Sequence, residues 1–152
     1  MTDTTPTESN LSGLDRKDFQ KNINSRKTDL YILKNAQGME VAVTNYGCAI
    51  LSIMVPDKNG KFANVILGHD SIEHVINSPE PFLSTTIGRY GNRIANGKFT
   101  LYGEEHQLTV NNGPNSLHGG PTGFHARVWD AVQPNESTVI FNYTSADGEE
   151  RS

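Results

Sequence analysis

The sequence predicts an all-β protein with antiparallel pairing, and three observations carry that reading. Apolar residues fall in short alternating or continuous runs, the runs come in pairs, and the connections between partners are short, polar and turn-forming. Glycine and asparagine in such connections supply the positive φ that tight hairpins require, which other residues reach only at a steric cost.

Residues 1–13, "MTDTTPTESNLSG", read as a disordered polar tail. They contain no apolar stretch behind a basic start, so they are not a secretion signal as they stand. "LDRKDFQKNINSRK" follows with Leu14, Phe19 and Ile23 as its apolar anchors, enough for a brief turn or helix. "TDLYILK" (28–34) and "MEVAVTNY" (39–46) flank "NAQG" and predict a hairpin. "CAILSIMVPD" and "KFANVILG" predict a second one around "KNG", where Asn59-Gly60 suits the tight turn. The lone cysteine, Cys48, is expected as a small buried residue within a strand.

In "HDSIEHVINSPEP" the period changes. Ile72, Val75 and Ile76 stand at helical spacing behind Asp70 as the expected N-cap, and Pro79 and Pro81 end the helix. "GKFTLYGEEHQLTV" predicts two strands around Tyr102-Gly103, and "RVWDAVQ" with "STVIFNYT" two more around "PNE". The closing "SADGEERS" holds an Asp-Gly turn signal after a strand, and a turn opener calls for another strand. Residues 14–152 are therefore expected to be part of a larger sheet, with apolar strand faces left open to self-association.

Composition narrows the function classes. A formal net charge of -4 and a pI of about 5.7, with Lys and Arg scattered along the chain, give no basic field for nucleic acid. The apolar runs are far shorter than the roughly 20 residues that span a bilayer, so a soluble protein is expected. One cysteine supports neither an internal disulfide nor a zinc knuckle, and the five histidines lack the spacings that converge on one ion. "NSLHG" is not a nucleophile elbow, so Ser116 is not expected to attack a substrate.

Two long connections, 79–96 and 111–127, are where a site is expected, because loops this long without regular structure usually serve one. The first contains "TIGRYGNRIANGKF", in which Arg89 and Arg93 each offer a planar fork of donors suited to sugar hydroxyls or a carboxylate. Its glycines lack the Gly-Lys-Ser/Thr ending of a phosphate loop. The plainer alternative for either arginine is an ordinary surface ion pair. The second connection holds "NNGPNSLHGG", whose asparagines can close Asx-turns and whose His118 can both donate and accept as a neutral imidazole. Taken alone, His118 fits a structural hydrogen-bonding role better.

Together these motifs resemble the aldose 1-epimerase family, also called galactose mutarotases. The resemblance rests on "GRYGNRIANGKFTL", "LTVNNGPNSLHGG" and "GFHARVWDA", with "TNYGCAILSIMVPDKNG" and "NVILGHDS" similar to the family's opening hairpins. It implies an antiparallel β-sandwich, the galactose mutarotase-like supersandwich, of which this chain is the N-terminal half. It also implies interconversion of the α and β anomers of free aldoses such as galactose and glucose. By motif position Asn92 and Arg93 match the substrate-holding pair, and His118 matches the first active-site histidine, which bonds the sugar near its ring oxygen. The family's general acid (a second histidine), a sugar-binding aspartate and the general-base glutamate fall after "DGEE", where this chain ends in Arg151-Ser152. The chain is therefore expected to be truncated and inactive alone, with a non-catalytic carbohydrate-binding or interaction module as the alternative. A hexose-6-phosphate epimerase of this fold would call for extra basic residues around the cleft. The resemblance implies no required cofactor, with calcium bound in some members. It is compatible with a cytoplasmic protein, or with a periplasmic or secreted one whose signal has been removed.

Overall fold

A computed structural model describes residues 9–150. Twelve strands run in order: β1 (Asn22–Ile23), β2 (Arg26–Lys27), β3 (Leu30–Lys34), β4 (Glu40–Thr44), β5 (Ile50–Pro56), β6 (Phe62–Asn64), β7 (Arg93–Ile94), β8 (Lys98–Leu101), β9 (Glu104–Gln107), β10 (Ser116–Leu117), β11 (Asp130–Asn135) and β12 (Thr138–Asn142). One α-helix, α1 (Ile72–Ile76), interrupts them, and the paired strands are all antiparallel. The all-β expectation holds, and so do the four hairpins read from the sequence.

The two opening hairpins merge into a four-stranded meander, β3-β4-β5-β6. Its register shifts between Ala42 and Val43, where β5 inserts Leu51 as an extra residue. Ala42, Ala49 and Leu51 share a buried cluster with Phe19, Leu30, Ile72 and Val75, so the sheet packs against the 3₁₀ turn Arg16–Phe19 and against α1. Phe19 is fully buried there, which is the reason for the short helical turn predicted from its spacing.

Three local expectations are corrected. The polar tail does not extend to residue 13: the amides of Leu11 and Ser12 donate to the two side-chain oxygens of Glu40, at 2.9 and 3.1 Å. Glu40 is completely buried, and these bonds satisfy it, so residues 10–13 are fixed to β4; residues 1–8 lie outside the described residues. The cap of α1 is Ser71, whose hydroxyl accepts from the His74 amide at 3.3 Å, while Asp70 pairs with the His74 imidazole instead. Cys48 lies outside the strands, at φ +47° in the turn joining β4 to β5, and burial pushes its thiol up to about 12.

Asn45, nearly buried at the end of β4, ties the sheet to the later chain. Its side chain accepts from the Asp29 amide at 2.9 Å and donates to the carbonyls of Lys27 and Trp129 at 3.1 and 2.9 Å. Trp129 N also donates to Asn45 O, and Gly47 N to Arg127 O, so residues 127–129 run beside the end of β4. The β11–β12 hairpin then lies along β3, where Gln133 donates to Ile32 O at 2.8 Å and Phe141 meets Tyr31 edge to face. On its other face Val132 and Ile140, directly paired, remain exposed.

Candidate functional site

The two long loops meet through a ladder too short to show in the sequence. β7 pairs with β10, placing Arg93 opposite Leu117 and Ile94 opposite Ser116. Asn92 and His118, one residue outside that ladder, then exchange two bonds. His118 N donates to Asn92 O at 3.0 Å, and Asn92 N donates to His118 Nδ1 at 2.9 Å. An accepting Nδ1 is unprotonated, so the neutral ring carries its proton on Nε2 and presents that nitrogen as a donor.

Both residues of this contact have positive φ, +66° at Asn92 and +55° at His118, a strained arrangement for side chains other than glycine. The glycine after His118 is required for a different reason. A Cβ at Gly119 would stand 1.8 Å from Gly88 O, so the two loops touch backbone to backbone.

Of the asparagines expected to close turns within their own loop, one does so and two reach the other loop. Asn111 brackets Leu117, accepting from its amide at 2.7 Å and donating to its carbonyl at 3.0 Å. Asn115 accepts from the Asn96 amide at 3.3 Å, and Asn112 accepts from Arg93 Nε at 2.9 Å. Arg93 Nη1 adds a longer bond to Asn92 Oδ1 at 3.3 Å, and Arg93 makes no ion pair among the described residues. Asn92 and Arg93 are exposed and line a cavity of about 570 Å³ whose walls include Ile94, Phe99, Leu108 and Phe124. His118 is half-buried and stands beside that lining, its ring edge to face with Phe82 at 4.9 Å.

Arg89 does not join Arg93. Its guanidinium donates to Ser145 Oγ at 3.0 and 2.7 Å and to the Ala146 carbonyl, holding the 145–150 turn against the cavity. Glu149 sits in that turn, accepting from Ser145 and Tyr143 and pairing with Arg127 at 2.9 Å. Burial alone would raise the Glu149 carboxyl, but these hydroxyls and the Arg127 and Arg89 guanidinia outweigh it and hold it below the usual carboxylate range. Glu150 accepts from the amide and hydroxyl of Thr122. Two of the three carboxylates that line the cavity, Glu149 and Glu150, are thus committed to the protein, as are the cationic groups of Arg89 and Arg127, whereas Asp147 lines it as an exposed side chain.

Neither Phe82 nor His125 was singled out as a site residue from the sequence, although His125 lies within "GFHARVWDA". Phe82 lies between two imidazoles, 4.5 Å from the ring of His125, and His125 is 4% exposed with its Nδ1 unpartnered. Burial lowers the pKa of His125 and keeps it neutral. No three His, Cys, Asp or Glu side chains converge as metal ligands among the described residues. Nor is any helix among the described residues long and apolar enough to cross a membrane.

Comparison with known proteins agrees with this architecture. Over 112 residues the chain is 41% identical to galactose mutarotase from Bos taurus, covering 74% of this chain and 32% of that protein. Over 121 residues it is 40% identical to aldose 1-epimerase from Escherichia coli, covering 80% of this chain and 35% of that one. The chain thus spans about a third of the length of the curated relatives it matches. A crystal structure of an aldose epimerase homologue from C. elegans superposes with a TM-score of 0.76 at 31% identity, over 81% of this chain and 38% of that one. Galactose 1-epimerase from Lactobacillus acidophilus gives 0.72 at 30% identity, over 86% and 38%. The fold is accordingly that of the galactose mutarotase-like proteins. With the aldose 1-epimerase family model matching residues 29–151 as well, the chain belongs to the aldose 1-epimerase family.

Proposed function

We propose that this chain supplies the sugar-holding wall of an aldose 1-epimerase site, acting on free aldoses such as galactose and glucose. The observation that carries the reading is the Asn92–His118 contact, which sets an oriented imidazole donor beside an exposed arginine with uncommitted N–H groups. Anomerisation needs a base to take the C1 hydroxyl proton and an acid to protonate the ring oxygen. The C1–ring oxygen bond then breaks, the aldehyde rotates, and the ring closes on its other face. In this scheme Arg93 and Asn92 hold sugar hydroxyls, and His118 Nε2–H bonds near the ring oxygen. The apolar wall of Phe99, Ile94 and Leu108 faces the sugar's C–H surface.

The groups that move protons belong, on the family resemblance, to the part of the relatives that this chain does not span. Glu149 and Glu150 do not replace them, being bonded to the groups that hold the 145–150 turn. Losing a positioned proton-transfer group costs about 10²–10⁴ in rate, and here two are concerned. We therefore expect the 152-residue chain to bind aldoses and to accelerate anomerisation very little. Polarimetry on freshly dissolved α-galactose tests this: a rate close to the uncatalysed one is expected, and a rate matching a full-length relative overturns it. Saturable sugar binding without acceleration in a chain extended to full length would favour a non-catalytic carbohydrate-binding module. Self-association through the exposed Val132–Ile140 face belongs to the same proposal, and sedimentation velocity across a concentration series tests it.

A further inference from the structure

We infer that Asn112 is the positioning residue that decides which edge of the Arg93 guanidinium is offered to a sugar, an inference resting on the sugar-holding role proposed above. A guanidinium carries five N–H groups in a rigid plane, so fixing one of them fixes the directions of the rest. Arg93 Nε is taken by Asn112 Oδ1 at 2.9 Å, and one Nη1 hydrogen is turned toward Asn92 Oδ1 at 3.3 Å. The Nη2 group and the second Nη1 hydrogen remain as donors for sugar hydroxyl oxygens.

Asn112 is built to hold still. Its backbone amide and carbonyl exchange bonds with Asn115 at 3.1 and 3.0 Å across the Gly113-Pro114 turn, where Gly113 takes φ +57°. It is half-buried, whereas Arg93 is exposed and long, with several rotatable bonds to freeze. Its acceptor is a neutral amide, so the arginine is oriented without having its charge cancelled. A carboxylate in the same place would compete with the sugar for that charge.

The chain labelled with ¹⁵N-arginine reports this directly, with the Arg93 Nε–H signal identified by its loss in Arg93→Lys. Asn112→Ala is expected to speed hydrogen exchange at Arg93 Nε and to weaken galactose binding roughly five- to tenfold, the range for losing one ordinary net hydrogen bond at an exposed site. Asn112→Asp, which restores an oxygen acceptor, is expected to recover the protected Nε–H, and the backbone amide spectrum away from 111–118 should match the parent in both variants. Unchanged Nε–H exchange and unchanged galactose titration in Asn112→Ala overturn the inference, as does a folded Asn112→Asp that fails to recover the signal. No galactose response in the parent overturns the sugar-holding role, while the Nε–H comparison between parent and variants still decides whether Asn112 orients Arg93.

Discussion

Replacing Gly119 with alanine should separate the loop that carries His118 from the loop that carries Asn92. The added methyl would stand 1.8 Å from Gly88 O, 2.5 Å from Gly88 C and 3.0 Å from Arg89 N. Gly88 O cannot retreat freely, because it accepts from Phe124 N at 3.2 Å. Relieving such a clash by backbone movement costs about 1–3 kcal/mol, and a side chain at positive φ adds roughly 1–3 kcal/mol. Gly103→Ala isolates the second contribution: its φ is +87° against +89° at Gly119, and nothing lies within 4 Å of the new Cβ. The difference between the two variants is then the steric part. With about 2 kcal/mol of steric cost and a urea m-value of about 2 kcal/mol/M, the Gly119→Ala midpoint should fall about 1 M below that of Gly103→Ala, at equal m. Urea unfolding followed by Trp129 fluorescence reads both. A Gly119→Ala midpoint equal to or above that of Gly103→Ala would refute the backbone-to-backbone contact.

Glu40→Ala should leave the Leu11 and Ser12 amides without their acceptor, destabilising the chain by about 2–4 kcal/mol and raising hydrogen exchange at those two amides first. Cys48, its thiol pushed up to about 12, should resist a disulfide reagent at pH 8 in the native chain and react fully in urea. Asp29 is raised by burial but lowered more by the Arg16 guanidinium at 2.8 and 2.7 Å and by the Leu30 amide, so its folded pKa lies below 3.8. The unfolded state therefore binds this proton first. The stabilisation is present above pH 3.8 and disappears as pH falls through the lower, folded value. Asp29→Asn should flatten the acid limb of a stability profile and lower the plateau above it; a parallel acid limb would contradict the assignment.

The parts of the fold legible in the sequence are those where one physical signal dominates over several residues. Alternating runs flanked by "NAQG" and "KNG" become β3 to β6, since each strand is long enough for its buried face to set register. The four-residue strands around Tyr102-Gly103 are legible from their turn instead, since β8 is exposed along its whole length. What was not legible depends on single contacts. Asp70 and Ser71 are both good caps in isolation, and the His74 imidazole draws Asp70 away, leaving the hydroxyl to cap. Residues 10–13 look like a solvated tail until Glu40, buried in a strand 27 or more residues on, is seen to need donors.

The candidate site divides in the same way. Asn92, Arg93 and His118 were nameable only through the family resemblance, and their convergence rests on a ladder of two residues per strand, too short for any periodicity. The separation of Arg89 from Arg93 was not readable, because its partner Ser145 lies 56 residues away, and the Asp-Gly turn signal that follows it does not say which side chain it meets. Phe82 is an aromatic in a loop until the rings of His118 and His125 are found on either side of it.

The central claim is that His118, held as the Nε2–H tautomer by the Asn92 amide, meets the sugar beside Arg93. A ¹⁵N-histidine spectrum of the chain, titrated with galactose, tests it most directly. His118 should show a protonated Nε2 and an unprotonated Nδ1 before sugar is added. Its Nε2 signal should then shift saturably, while His69 and His74, which line a different pocket with Asp70, stay in place. A His118 protonated on Nδ1, or a galactose response that leaves it unmoved, would contradict the account.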